Sequence, residues 1–270
     1  MDTTIRKWKN KMKISQIGNG FVGSALNKSF SLKGLDIKIY DKFQNLGSLE
    51  DMLNFDYIFF CLPTPYISNL GYDLSAIEEN LLFLSNNNYQ GSIVVKSTVL
   101  PGTCKYLSKK YSINIIHNPE FLTERTAFED FHNQKHIVLG FSDKIDQNII
   151  DLYQKYYPDA QISVCTSDES ESMKIFCNTF YSVKVQIFNE FYLLCEKLNI
   201  DFNNVKNLML KNGWINPMHT NVPGPDGQLS YGGHCFPKDT NALLEQMISL
   251  QSPNEVLSGC VSERNKIRKD

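Results

Sequence analysis

A glycine-rich turn between a short apolar strand, Met12–Ile17, and a helical segment, Ser24–Phe30, constrains the fold of this chain most. In a Gly-x-Gly-x-x-Gly turn, the first glycine bends the chain, the second lets the backbone approach a pyrophosphate, and the third lets helix pack on strand. Strand, turn and helix in this order predict a Rossmann-like dinucleotide-binding domain. The turn residues predicted to bind the cofactor are Gly18, Asn19, Gly20, Phe21, Val22 and Gly23.

An acidic residue after the second predicted strand indicates which dinucleotide binds. The strand Asp36–Tyr40 ends at Asp41, about twenty residues past the glycines, where an acid bonds the ribose hydroxyls of NAD. A carboxylate at this position also repels the 2′-phosphate of NADP. The sequence therefore predicts NAD as the cofactor, bound by Asp41 and its neighbour Lys42.

Strands and helices continue to alternate after this unit. Five further strands are predicted: Tyr57–Cys61, Ser92–Lys96, Ile113–Ile116, His136–Gly140 and Ile162–Cys165. The alternation predicts an α/β domain over residues 12–166, with a doubly wound parallel sheet, after a short N-terminal arm of residues 1–11. Ligands of such sheets bind beyond the carboxyl ends of the strands. Four residues fall at that edge and are predicted to bind the cofactor: Pro63, Thr64, Ser97 and Thr98.

Two glutamates, Glu120 and Glu124, follow the fifth strand at a spacing of four residues. On a helical turn they would share a face. Paired carboxylates near a cofactor can activate water, because a like charge raises the pKa of one of them. A solvated acidic helix start explains the same pattern equally well.

The second half of the sequence is helical in pattern. Apolar residues recur at three- and four-residue steps from Ser167 to about Ile200, which predicts a long central helix in an all-helical domain over residues 167–270. Lys174 and Asn178 lie four residues apart beside this apolar stripe. Directed together into a cavity they would stabilise a developing oxyanion, although an exposed lysine at the edge of the stripe is about as common.

The segment Tyr231–Asp239 carries the candidate nucleophile, Cys235. Gly232 and Gly233 allow a ligand to approach the backbone beside it, and a nearby cation such as Lys238 favours the reactive thiolate. Taken alone, a cysteine is more often a small core residue than a nucleophile. The remaining motifs of the chain favour the nucleophile.

Composition excludes several classes of protein. A net charge of −2 gives no basic surface for nucleic acid. No apolar run is long enough to span a membrane, and no signal peptide opens the chain. The seven cysteines include no Cys-x-x-Cys pair and do not cluster with histidine, so neither a disulfide framework nor a metal site is expected. A reducing, cytoplasmic location is predicted.

Six motifs in order resemble the UDP-glucose/GDP-mannose dehydrogenase family over nearly the whole chain. They are Gly18–Gly23, Leu62–Pro65, Lys96–Thr103, Asn118–Glu124, Lys174 with Asn178, and Gly232–Asp239. The resemblance implies an NAD-dependent oxidation of a nucleotide sugar at C6, such as UDP-glucose to its uronic acid. Cys235 would attack an aldehyde to give a thiohemiacetal, and further oxidation would give a thioester that water releases.

The same resemblance implies roles for individual residues. Lys174 and Asn178 would hold the anionic oxygen, while Asp239 and Thr98 would position water and protons. Glu120 or Glu124 would serve hydrolysis, and Glu124 and Lys238 would also contact the cofactor. The residues implied in sugar binding are Glu120, Phe121, Leu122, Lys174, Asn178, Tyr231 and Gly232.

The family pattern also implies a further nucleotide-sugar-binding domain beyond the last predicted helix, where this sequence ends. That helix carries Val256, Leu257, Cys260, Val261 and Ile267, which a second copy of the chain is expected to cover in a homodimer. Two alternatives stay open. In the first, the chain is an enzyme whose substrate is GDP-mannose or a UDP-N-acetylhexosamine. In the second, it is an inactive remnant that binds NAD and dimerises.

Overall fold

A computed structural model describes residues 12–269, apart from the side chain of Glu124. The predicted N-terminal arm, residues 1–11, lies outside the described residues. The described chain forms two compact units: one runs to Thr64 and resumes over Leu74–Ser172, and the other comprises Pro65–Asp73 and the chain from Met173 onward.

The first unit is built on a seven-stranded sheet with the order β2-β1-β3-β6-β7-β8-β9 over the described residues. The chain's strands are β1 (Ile14–Ile17), β2 (Lys38–Tyr40), β3 (Tyr57–Phe60), β4 (Tyr66–Ile67), β5 (Gly71–Tyr72), β6 (Ser92–Val95), β7 (Asn114–His117), β8 (His136–Phe141) and β9 (Gln161–Thr166). Neighbours in the sheet are parallel except β7 and β8, which pair antiparallel with Ile116 opposite Phe141. β4 and β5 form a separate antiparallel hairpin in the second unit.

In the described part of the first unit, five α-helices cover both faces of the sheet: α1 (Phe21–Leu32), α2 (Ser75–Asn86), α3 (Thr103–Tyr111), α4 (Ala127–His132) and α5 (Gln147–Tyr156). Successive residues of β3 point to opposite faces, so that Phe59 joins a core with α1, α4 and α5, and Phe60 joins a core with α2 and α3. The predicted Rossmann-like, doubly wound sheet is thereby confirmed.

The second unit is helical. It contains most of α6 (Ser167–Leu198), then α7 (Phe202–Lys211), α8 (Phe236–Ser249) and α9 (Glu255–Ile267), together with the β4–β5 hairpin. α8 begins at Phe236, so Cys235 stands immediately before its first turn. Among the described residues, no helix combines the length and apolar character needed to cross a membrane.

Two expectations drawn from the sequence were wrong. Glu120 lies in irregular chain before a short 3-10 turn that begins at Glu124, so the two glutamates do not share a helical turn. Of the α9 residues expected to need a partner, Leu257, Cys260 and Val261 are buried within this chain, and Val256 is 77% exposed. The apolar pattern of α9 did not predict this burial, because the residues that cover the helix are distant from it in sequence.

The exposed side of α6 is unusually apolar. Its apolar stripe includes Phe176 and Phe180, which are 55% and 64% exposed, whereas Gln186 and Asn189 on another side of the helix are buried. In an isolated globular unit the apolar side of a helix is normally the buried one. The apolar pattern therefore predicted the helix correctly, but it did not predict which side of α6 is buried within the single chain.

Candidate active site

Of the three glycines of the turn, only Gly20 has open space beside its Cα, where a dinucleotide could approach the backbone. A Cβ added to Gly20 would meet no atom within 4 Å, whereas one added to Gly18 would lie 2.4 Å from the carbonyl oxygen of Cys61. At Gly23 it would lie 2.2 Å from the carbonyl oxygen of Gly18. Gly20 directly precedes α1, where unpaired backbone N–H groups favour an anion. This arrangement fits the pyrophosphate of NAD.

Asp41 is buried and organises the chain around this turn. Its Oδ2 accepts a hydrogen bond from the backbone N–H of Asn19 at 2.7 Å, and its Oδ1 accepts from the N–H groups of Phe43 and Gln44, both at 2.9 Å. The amide of Gln44 also bonds the carbonyl oxygen of Asn19 at 2.9 Å. Lys42 points elsewhere, to Glu79 at 3.0 Å, and that carboxylate raises the pKa of the lysine. The carboxylate of Asp41 is thus held rigidly beside the glycine turn.

Two strand-end loops of the first unit are tied to each other. The hydroxyl of Thr64 donates to the backbone carbonyl oxygen of Thr98 at 2.8 Å. The hydroxyl of Ser97 donates to the backbone carbonyl oxygen of Leu62 at 2.6 Å. Pro63 is exposed between these contacts. The bonds bring together four of the residues predicted at the carboxyl edge of the sheet.

The third loop at this edge carries Glu120. Its carboxylate is buried and accepts the backbone N–H of Leu122 at 2.6 Å, while Phe121 is 43% exposed. Below the loop, burial raises the pKa of the Cys61 thiol to about 12, an effect that Glu120 reinforces and Lys96 opposes. A raised pKa disfavours the thiolate, so Cys61 is not a candidate nucleophile. The predicted side-chain role of Glu124 lies outside the described residues.

Glu171 holds the loop that carries Thr98, although no sequence pattern singled it out. This glutamate is fully buried on α6, and its two oxygens accept the backbone N–H groups of Gly102 and Cys104, each at 2.7 Å. Those groups belong to the start of α3, which has no side-chain cap of its own. Burial raises the pKa of Glu171, and the hydrogen bonds from the two amides oppose that shift.

Replacing Glu171 with alanine is expected to destabilise the first unit. Two buried N–H groups would lose their acceptors, at a cost of about 3 kcal/mol, which corresponds to a fall of roughly 5–10 °C in Tm. Glu169→Ala is the control, because that carboxylate is exposed at the start of the same helix. Thermal unfolding checks the prediction, and equal melting temperatures for the two variants would contradict it.

In the second unit, Cys235 is the N-cap residue of α8. The positive end of a helix dipole favours a thiolate at this position. Two glycines lie shortly before Cys235. Gly233 has a φ of +77°, which residues with a side chain rarely adopt. A Cβ added to Gly232 would lie 2.1 Å from Nη2 of Arg268. The glycines therefore set the path of the chain into the cysteine.

Asp239, one turn after Cys235, is the centre of a buried hydrogen-bond network. Its Oδ2 accepts the side-chain amide of Asn178 at 2.6 Å, and its Oδ1 accepts the ammonium of Lys238 at 2.6 Å and the phenol of Tyr72. Asp239 has no exposed surface, and Asn178 and Lys174 are also buried. Lys174 and Asn178 lie one turn apart on α6, as predicted.

Two arginines of the last helical segment support the loop before Cys235. The Nε of Arg264 donates to the carbonyl oxygen of Tyr231 at 3.3 Å, and Arg268 bonds Asp226 at 2.7 Å while lying against Gly232. Tyr231 itself is buried. The sequence analysis missed both arginines and Tyr72, because only the fold brings them near residues so distant in sequence.

The fold and the glycine turn define a Rossmann-like dinucleotide-binding unit. The sequence profile of the UDP-glucose/GDP-mannose dehydrogenase family NAD binding domain matches residues 42–157, and that of the family's central domain matches residues 168–266. A UDP-glucose 6-dehydrogenase of Campylobacter jejuni is 30% identical over 294 residues, covering 96% of this chain and 73% of the relative. The chain belongs to the UDP-glucose/GDP-mannose dehydrogenase family.

Other relatives show the same likeness over different lengths. A UDP-glucose 6-dehydrogenase of Rickettsia bellii is 34% identical over 72% of this chain, which corresponds to 45% of the relative's own length. Among solved structures, a UDP-glucose dehydrogenase of Pyrobaculum islandicum has a TM-score of 0.85 at 23% identity, covering 98% of this chain and 70% of that one. A UDP-D-ManNAc dehydrogenase of Pyrococcus horikoshii has a TM-score of 0.81 at 18% identity, covering 95% and 69%. These structures have the same fold.

Proposed function

We propose that the chain catalyses the NAD-dependent, four-electron oxidation of UDP-glucose to UDP-glucuronate. The observation that carries the proposal is Cys235 at the start of α8, one turn from a buried network of Asp239, Asn178 and Lys238. A structural cysteine needs none of these polar groups, whereas a nucleophile that generates an oxyanion does. The UDP-glucose 6-dehydrogenases among the relatives support the choice of sugar.

NAD, when bound at the glycine turn, supplies a hydride acceptor for each of the two oxidation steps. The side chains of this protein supply the rest. The thiolate of Cys235 adds to the carbonyl carbon of the intermediate aldehyde, forming a C–S bond and an oxyanion that becomes a thiohemiacetal on protonation. Loss of a hydride from that carbon, together with loss of the hydroxyl proton to a base, leaves a thioester. Water then cleaves the C–S bond, which yields the carboxylic acid and restores the thiol.

Lys174 and Asn178 stabilise the oxyanion in this scheme. The amide nitrogen of Asn178 carries two hydrogens and uses one on Asp239, so the other remains to donate to a substrate oxygen. Lys174 adds a positive charge from the preceding turn of α6. Both groups are buried, which strengthens their electrostatic effect on a developing negative charge.

The resemblance to the family implies the remaining proposed roles. Thr98 and Asp239 position water and protons, and Glu120 or Glu124 assists hydrolysis of the thioester. The proposed sugar contacts are Glu120, Phe121, Leu122, Tyr231 and Gly232. Asp41 bonds the ribose hydroxyls, Thr64 and Ser97 line the cofactor edge, and Lys238 contacts the cofactor.

A second candidate substrate is another nucleotide sugar. A UDP-D-ManNAc dehydrogenase and a GDP-mannose dehydrogenase share the fold. The same thiol chemistry serves any primary alcohol at C6, so the cysteine network does not discriminate between sugars.

The test is NADH formation by the purified chain with NAD and each nucleotide sugar in turn. UDP-glucose is expected to give the highest kcat/KM. A higher value for GDP-mannose or UDP-N-acetylmannosamine would replace the sugar and keep the chemistry. Tight NAD binding without turnover of any of these sugars would contradict the enzymatic proposal and favour an NAD-binding remnant.

A homodimer is part of the proposal, with the exposed apolar stripe of α6 as its contact surface. Phe176, Phe180 and Val256 line a groove of about 410 Å³ in the second unit and are exposed in the single chain. A continuous apolar surface of this kind is typical of an obligate contact. The reducing cytoplasm is proposed as the location because none of the seven cysteines forms a disulfide.

Phe180→Asp is expected to convert the dimer to a monomer, because the change places a charge in an apolar contact. Leu32→Asp is the control, since Leu32 is similarly exposed, at 65% against 64% for Phe180, but lies at the end of α1 in the first unit. Light scattering at micromolar concentration measures the mass. A monomeric parent, or a Phe180→Asp variant that remains dimeric, would count against this surface.

A further inference from the structure

The β4–β5 hairpin is bound to α8 through two tyrosine–carboxylate hydrogen bonds. Tyr66 donates to Glu245, which also accepts the backbone N–H of Asn69 at 3.0 Å. Tyr72 donates to Asp239. The two phenols thus make the same kind of bond from one hairpin to one helix, but only Tyr72 reaches the network beside Cys235.

Tyr72 contacts that network in two ways. Its hydroxyl bonds Oδ1 of Asp239, and its ring lies 4.5 Å from the ammonium of Lys238, which bonds the same oxygen. The tyrosine is 5% exposed. Burial, with Asp239 and Cys235 nearby, raises the pKa of Tyr72 far above its ordinary value. The phenol therefore keeps its proton and acts as a permanent donor.

The geometry of Asp239 explains why a third donor matters. A carboxylate one helical turn from a thiol opposes formation of the thiolate, because the two negative charges repel. Hydrogen bonds from Asn178, Lys238 and Tyr72 compensate the charge of Asp239. The three hydrogen bonds also fix the rotamer of Asp239. Because an ionised carboxylate can only accept hydrogen bonds, the side-chain nitrogen of Asn178, and not its oxygen, must face Asp239.

We propose that Tyr72 is a positioning residue for Cys235: its phenol holds Asp239 against Asn178 and Lys238 and compensates the carboxylate's charge one turn from the thiol. The inference rests on the proposed function, in which Cys235 is the nucleophile. Lys174 on α6, Glu245 on α8 and His234 next to the cysteine also carry charged or titratable side chains, and Tyr72→Phe changes none of them.

The experiment measures alkylation of Cys235 by iodoacetamide at neutral pH, followed by mass spectrometry of the peptide that contains it. No NAD or sugar is needed, so the result is independent of turnover. Tyr72→Phe keeps the ring over Lys238 and removes only the hydroxyl. Loss of one hydrogen bond to a charged group is expected to slow alkylation about tenfold.

Tyr66→Phe is the matched control, because it removes the equivalent bond between the same hairpin and α8 but leaves Asp239 untouched. Its alkylation rate should equal that of the parent. Equal slowing in both variants would show that the hairpin only anchors, and an unchanged rate in Tyr72→Phe would likewise overturn the proposal.

A double-mutant cycle tests the route through Asp239. In an Asp239→Asn background, Tyr72→Phe should change the alkylation rate less than about twofold, since the charge it compensates is gone. If the tyrosine substitution slowed alkylation by the same factor in both backgrounds, Tyr72 would act independently of Asp239, and the proposal would be wrong.

Discussion

Replacing Cys235 with serine should abolish net oxidation of the nucleotide sugar to the acid while leaving NAD binding and the fold intact. The serine hydroxyl is a far weaker nucleophile than a thiolate at neutral pH, so the second half of the oxidation becomes very slow and the acid is not released. The fold should be retained, because serine is close in size to cysteine and Cys235 is only half-buried at the start of α8. A slowly formed ester intermediate is expected to persist on the serine and to be visible by mass spectrometry.

Cys165→Ser is the matched control for this experiment. Cys165 is also half-buried, lies in β9 of the first unit, and has its pKa raised by burial. The control should retain the NADH formation rate of the parent. If Cys235→Ser also formed NADH and the acid at that rate, covalent catalysis through this thiol would be excluded.

Substitution of Gly20 by alanine should block NAD binding without destabilising the protein. The added methyl group has no neighbour within 4 Å, but it occupies the space through which the backbone must approach a pyrophosphate. An increase of at least about tenfold in the Kd of NAD is expected, measured by calorimetry, because several backbone hydrogen bonds to phosphate would be weakened together.

Gly23→Ala is the counterpart, and it should lower the stability of the protein itself. Its Cβ would lie 2.2 Å from the backbone carbonyl oxygen of Gly18, so α1 or the turn must shift. Overpacking of this kind costs about 1–3 kcal/mol or more, and Tm should fall by several degrees. Parent-like NAD affinity in Gly20→Ala, or parent-like melting in Gly23→Ala, would contradict the structural account of the glycine turn.

The local part of the architecture was predictable from the sequence. The strand before Gly18 and the glycine spacing depend on residues close together in the chain, and the structure has the turn where the pattern indicates. Strand direction was not predictable in the same way. Apolar runs in β7 and β8 indicate burial, but they contain no information on whether the two strands run parallel.

Contacts between distant residues account for what the sequence did not reveal. Tyr72 and Asp239 are separated by 167 positions, and their hydrogen bond depends on a two-strand hairpin that packs on α8. Glu171 likewise caps a helix 67 positions away at Cys104. Neither residue belongs to a short motif, so only the fold shows that Tyr72 supports Asp239 on α8 and that Glu171 supports the loop carrying Thr98.

The ratio of NADH formed to UDP-glucuronate released, measured on the intact chain with limiting UDP-glucose, tests the central claim most directly. Oxidation of an alcohol to an acid through a thioester on Cys235 requires two hydride transfers per sugar. The account predicts a ratio of two, with no free aldehyde detected in the reaction mixture. One NADH per sugar consumed, with free aldehyde accumulating in place of the acid, would contradict it.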